Sequence, residues 1–188
     1  MKLLLTRHGE TKENITGILQ GHMPNKLTDN GIKQAKKLTL KLKNDKIDAI
    51  FSSDLKRAIE TTKEIVRKHP GIPVHYTKRL RERNLGSYQG KHSKHVDWEN
   101  QPHDIETLQQ MQDRAKNFLH KVYNKNKNKT VLFVTHGGIG RSLISVILDK
   151  PADKIFEMEK IKNTAIYIFE IGEDLRGNVI LADNTLKN

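Results

Sequence analysis

Two histidines and two arginines stand where three short apolar runs stop. Leu3-Leu4-Leu5-Thr6 leads into Arg7-His8-Gly9-Glu10, Ile47-Asp48-Ala49-Ile50-Phe51 leads through Ser52-Ser53-Asp54 to Arg57, and Val131-Leu132-Phe133-Val134-Thr135 leads into His136-Gly137-Gly138. Runs of this length and content read as buried strands of the parallel kind. As neighbours in one parallel sheet, all three would end along the same edge, where open α/β sheets bind ligands at a reversal of strand order. A neutral imidazole can attack phosphorus, and a guanidinium presents a planar fork to phosphoryl oxygens. A Gly-Gly helix start lets backbone amides approach an anion. The chemistry that suits this set is phosphoryl transfer.

The elements that must position these groups alternate along the chain, which predicts an α/β fold with a mostly parallel central sheet. The first strand is expected over 2–7, followed by a polar stretch holding Gly17, Gly21 and Pro24. Thr28 is suited to cap a helix over about 29–43, with Ile32, Ala35, Leu38 and Leu42 on one face. After a strand at 47–51, Ser53 or Asp54 is expected to cap the next helix, whose apolar face is Leu55, Ala58, Ile59, Thr62, Ile65 and Val66. Val74-His75-Tyr76 reads as a short strand, and residues 78–103, without a dominant period, as an irregular insert. A long helix is expected over 104–124. Beyond it come a strand at 130–135, a helix over about 138–148, and strands at 165–171 and 178–182 joined by a Gly172/Gly177 turn. With no repeat and no linker composition, one domain is expected over 1–188.

Composition narrows the function classes. The chain has no cysteine, which excludes a disulfide framework and a thiolate nucleophile or metal site. Neither the N-terminus nor any later stretch is apolar enough for a signal peptide or a membrane span, so a soluble cytoplasmic protein is expected. The net charge of +12 favours anionic partners. The excess is mostly lysine in Lys33–Lys46 and Lys121–Lys129, and aromatics make up only 5% of the chain, so a base-stacking nucleic-acid surface is not expected. The remaining histidines lack ligand-like spacing, so no metal and no cofactor is expected.

Four motifs in order, Arg7-His8-Gly9-Glu10-Thr11, Ser53-Asp54-Leu55-Lys56-Arg57-Ala58, Leu80-Arg81-Glu82-Arg83-Asn84-Leu85-Gly86 and Thr135-His136-Gly137-Gly138, resemble the histidine phosphatase superfamily, which includes the cofactor-dependent phosphoglycerate mutases. The resemblance covers nearly the whole chain and implies a three-layer α/β/α fold of the phosphoglycerate mutase-like type. It implies that His8 is the nucleophile and forms a phosphohistidine, that Arg7, Arg57 and His136 contact the phosphoryl oxygens, and that Glu82 is the proton donor and acceptor. Like charge from a dianionic phosphate would favour the protonated acid there. Asn14 falls where the family often has a phosphate-contacting Asn, although Glu13 replaces the usual Trp before it. Gln20 and Gly21 fall on the family's substrate loop, and Gly137 beside the phosphate.

The resemblance leaves two activities. One is a histidine acid-type phosphatase, a phosphomonoesterase acting on small phosphorylated metabolites; the alternative is a phosphoglycerate mutase. The family's mutases carry a longer insert between the acid and the second histidine, with an Arg-rich stretch and a proline run. Here 53 residues lie between Glu82 and His136, without an Arg-Arg pair or a proline run, which favours the phosphatase. Arg81 and Arg83 are expected to contact a substrate with more than one acidic group. A homodimer is a candidate assembly.

Overall fold

Six strands form one sheet in the order β3-β2-β4-β1-β5-β6. They are β1 (Lys2–Arg7), β2 (Ala49–Ser53), β3 (Val74–Thr77), β4 (Thr130–Thr135), β5 (Ile166–Ile171) and β6 (Gly177–Asp183). The computed structural model describes residues 1–183; residues 184–188 of the expected domain lie outside the described residues. The first four strands run parallel, and β5 and β6 add an antiparallel edge.

The strand alternation decides what each face buries. Leu3 and Leu5 of β1, with Val131 and Phe133 of β4, join the cluster on one face, while Leu4, Leu132 and Val134 join the cluster on the other. The second face is covered by α2 (Asp29–Leu42) through Leu38 and Leu42, and by α3 (Lys56–Val66) through Ala58 and Ile65. The first is covered by α4 (Leu108–Lys125), whose stripe is Met111, Ala115, Phe118, Leu119 and Val122, and by α5 (Gly137–Ile147). The result is three layers, α/β/α.

The crossovers open a crevice at the point where the site forms. From β1 the chain passes to β2, skipping the position that β4 later fills. The helices after β1 and β2 lie on one face and α5, after β4, lies on the other, so connections diverge from the adjacent ends of β1 and β4.

The departures from the sequence reading have local causes. The polar stretch after β1 holds a short helix, α1 (Lys12–Thr16), started by a capping box between Thr11 and Asn14 and ended by Gly17 at φ 71°. The second strand begins at Ala49 rather than residue 47. Neither Ser53 nor Asp54 is the N-cap of α3. That residue is Leu55, whose amide bonds Ser53 Oγ at 3.2 Å, while Asp54 is held by Arg81. The long helix starts at Leu108 rather than 104 because Thr107 and Gln110 form a capping box there. Residues 78–107 hold three single 3₁₀ turns, at Lys78–Leu80, Gly86–Tyr88 and Ser93–His95.

Leu4 is fully buried in the central strand β1, against both α2 and its strand neighbours. Leu4→Ala is expected to destabilise the protein by about 2–5 kcal/mol. Urea unfolding would show this as a lower midpoint with an unchanged slope.

Candidate active site

His8 follows the last residue of β1, and its amide extends the ladder to the Thr135 carbonyl at 3.0 Å. Its Nδ1 lies 2.6 Å from the Gly9 carbonyl oxygen. A carbonyl only accepts, so Nδ1 carries the proton and Nε2 keeps its lone pair. His136 follows β4 and is the N-cap residue of α5. Its Nε2 lies 2.8 Å from Ser53 Oγ at the end of β2. The two imidazoles are 5.0 Å apart between centroids.

Arg57, in the first turn of α3, joins them. Its single Nε–H is shared between His8 Nε2 at 3.2 Å and His136 Nδ1 at 3.1 Å. The two Nη groups donate to the backbone carbonyls of Met23 at 3.1 Å and Gly21 at 2.9 Å. Gly21 adopts φ 46°, a left-handed conformation that a side chain disfavours, and its carbonyl turns inward to the guanidinium. His8, Arg57 and His136 are all buried. Burial first, and then the neighbouring Arg57 charge, hold both imidazoles well below the ordinary histidine range. Burial also lowers Arg57 itself to about 10.

Glu82 reaches the site from β3 through the 3₁₀ turn at Lys78–Leu80. Its Oε1 accepts from the amides of Gly138 at 3.0 Å, Ile139 at 3.1 Å and Arg83 at 2.9 Å, whereas Oε2 accepts, among the described residues, only from Gly138, at 3.0 Å. The carboxylate therefore sits on the positive end of α5. A Cβ at position 138 would collide with Glu82 Oε1, so a side chain there would displace the carboxylate from the helix start. The segment carrying Glu82 is braced from behind. Arg114 of α4 donates to the carbonyls of Arg79 at 2.8 Å and Arg81 at 2.9 Å, and grips Glu106 through two nitrogens at 2.7 and 2.8 Å. His22 Nε2 lies 2.8 Å from the Glu82 carbonyl oxygen.

These groups open on a cavity of about 560 Å³ lined by Arg7, His8, Asn14, Gln20, Gly21, Arg57, Glu82, Arg83, Gly137 and Gly138 among the residues anticipated from the sequence. Arg7 bonds the Ile161 carbonyl at 2.8 Å, and its Nε is buried without a partner. Asn14 Oδ1 accepts from the Thr11 amide and from Asn163, and Gln20 Oε1 is buried without a partner. His136 does not line the cavity and joins the site through Arg57; Arg81 is not brought in. It forms a two-point ion pair with Asp54 at 2.6 and 2.7 Å and does not line the cavity. At the Gly137-Gly138 helix start, whose amides are expected to face an anionic ligand, the Gly138 amide is taken by Glu82, as is that of Ile139.

The sequence reading did not single out Arg141, Trp98, Phe156 or Asn163. Arg141 lies one turn after Gly137, and that spacing alone places it on the face of the α5 start, where its Nε bonds the Gly137 carbonyl at 3.3 Å. Trp98 and Phe156 come from irregular segments without periodicity and line the cavity while 41% and 43% exposed. Asn163, just before β5, donates to the His8 carbonyl at 2.9 Å.

Residues 3–184 match the family model of the histidine phosphatase superfamily, branch 1. The chain belongs to this superfamily. It is 32% identical over 186 residues to phosphoglycerate mutase-like protein 4 of Arabidopsis thaliana, covering 90% of this chain and 79% of that protein. To the adenosylcobalamin/alpha-ribazole phosphatase of Salmonella typhimurium it is 31% identical over 186 residues, covering 90% and 92%. The solved structure of Bacillus stearothermophilus YhfR superposes with a TM-score of 0.88 at 30% identity, over 99% of this chain and 98% of that one. The fold is thus that of the phosphoglycerate mutase-like phosphatases. Among the described residues, no helix is long and apolar enough to cross a membrane.

Two depressed imidazoles make this histidine phosphatase domain sensitive to acid. Below the ordinary imidazole value of about 6.5 the unfolded chain takes up protons that the folded site refuses. Stability is therefore complete above that pH and is lost as pH falls below it. Urea unfolding between pH 8 and pH 5 is expected to show that decline. Side-chain nitrogen NMR at pH 5.5 is expected to find His8 and His136 still neutral.

Proposed function

We propose that this protein is a phosphomonoesterase acting on small phosphorylated metabolites through a phosphohistidine at His8. The observation that carries the reading is the fixed state of His8: Nδ1 is committed to the Gly9 carbonyl, and burial and Arg57 keep the ring neutral. Nε2 is then the one nucleophilic atom. Its contact with Arg57 is half of a shared hydrogen bond, so the Nε–H can rest on His136 while the lone pair turns to phosphorus.

In the first step Nε2 bonds to phosphorus, the bond from phosphorus to the leaving oxygen breaks, and that oxygen takes the proton of Glu82. Glu82 Oε2 accepts one amide hydrogen bond where Oε1 accepts three, so Oε2 is the oxygen with room for that proton. In the second step water attacks phosphorus, Glu82 takes the proton of the water, and the bond to Nε2 breaks to give inorganic phosphate and neutral His8. Arg7 and Arg57 neutralise the equatorial oxygens, and His136 serves them as a neutral hydrogen-bond donor. The buried, partnerless Nε of Arg7 is a donor ready for one of them.

Phosphorus NMR of a mixture of phosphorylated metabolites tests the reading. The wild-type protein is expected to release inorganic phosphate, His8→Ala to release none above background, and Glu82→Gln to turn over about a hundred- to ten-thousand-fold more slowly. Interconversion of phosphoglycerates without release of phosphate would instead identify a mutase.

A further inference from the structure

The cavity is lined by four arginines and by Glu82 as its one carboxylate. A phosphoryl dianion at His8 together with Glu82 leaves positive charge uncompensated, and the surplus has a definite place. Phe156 lies 4.4 Å from the Arg141 guanidinium carbon and 5.8 Å from that of Arg83, measured to the ring centre. One ring thus backs both cations. Neither forms an ion pair among the described residues. Arg83 donates Nε to the Glu106 carbonyl at 2.6 Å and Nη2 to Gln101 Oε1 at 2.7 Å. Arg141 donates Nε to the Gly137 carbonyl and Nη1 to the Met158 carbonyl. The nearby Glu106 carboxylate is already held by Arg114 and the Asn84 amide. Among the described residues, Arg83 Nη1 and Arg141 Nη2 are left without hydrogen-bond partners, on side chains that line the cavity.

We propose that Arg83 and Arg141, backed by Phe156, form a second anion subsite, and that the preferred substrate carries a carboxylate or a second phosphate away from the scissile ester. The inference rests on the phosphatase reading above. Arg83 and Arg141 are themselves buried while Phe156 is 43% exposed, so the two guanidiniums stand inside the cavity and the ring that backs them reaches its opening. Two guanidiniums whose backbone-facing nitrogens are already fixed lose little freedom on accepting an anion. The lining also includes the apolar side chains of Leu19, Leu85 and Trp98, beside the polar Gln101 and Lys160, so an aromatic or aliphatic body between the two anions finds apolar contacts there.

Three probes test the subsite: 4-carboxyphenyl phosphate, its uncharged relative 4-carbamoylphenyl phosphate, and 1,4-phenylene bisphosphate. For the wild-type protein the KM of the acid is expected to lie about tenfold below that of the amide. In Arg83→Gln and in Arg141→Gln the acid-to-amide ratio of kcat/KM is expected to fall about tenfold relative to wild type, a comparison in which leaving-group differences cancel. Arg83→Lys, which retains the charge, is expected to recover part of the preference. A larger gain for the bisphosphate than for the acid would assign the subsite to phosphate, the reverse to carboxylate. Equal wild-type KM values for all three, or ratios that do not move in the variants, would overturn the subsite and leave the phosphatase intact. Hydrolysis of none of the three by wild type would overturn the phosphatase reading itself.

Discussion

A buried guanidinium without a carboxylate partner sets the terms for this site. Arg57 is 1% exposed, and removing such a charge from water costs several kcal/mol even after relaxation. The structure offsets that cost with lone pairs rather than with a counter-ion. Two imidazoles share the Nε–H, and two loop carbonyls take the Nη groups. Each partner is thereby constrained. The histidines must be neutral, because a protonated ring could not accept from Arg57. The 17–27 loop must turn its carbonyls inward, which Gly21 permits. A carboxylate in place of those acceptors would have offset the Arg57 charge that, after burial, keeps His8 unprotonated.

The sheet explains why such a cluster can be held so closely. His8, Ser53 and His136 lie at the adjacent ends of parallel strands whose register pairs Arg7 with Thr135 and Ser52 with Val134. Their separations follow from strand spacing more than from loop conformation. Glu82 is the exception, since it stands on irregular chain. Its position is recovered through amides of α5 on one side and the Arg114–Glu106 clasp on the other. The same helix is capped by His136, so one rigid element registers both the Glu82 carboxylate and the second buried imidazole.

This division also explains what could be read in the sequence. His8, Arg57 and His136 were legible because apolar runs of strand length end beside them, and the Thr28 cap and the α4 stripe were legible from spacing. The capping of α3 was not, since Asp54 has a stronger partner in Arg81, a contact across 27 residues that no local pattern records. The neighbours Arg81 and Arg83 look alike in sequence and have opposite fates, one paired outside the cavity and one inside it. Arg141 was hidden within a helix that is buried on nearly every side, and Trp98 and Phe156 stand on segments whose course depends on tertiary packing.

The placement of Trp98 and Phe156 has an evolutionary consequence. Both sit on chain that lies outside the sheet ladders and helices, whereas His8, Arg57 and His136 are fixed by strand ends and helix starts. Drift in the length or composition of those rim segments leaves the registration of the buried cluster untouched. The two halves of the cavity can therefore diverge at different rates. Descendants of such a chain can exchange one phosphorylated partner for another while inheriting the same buried cluster.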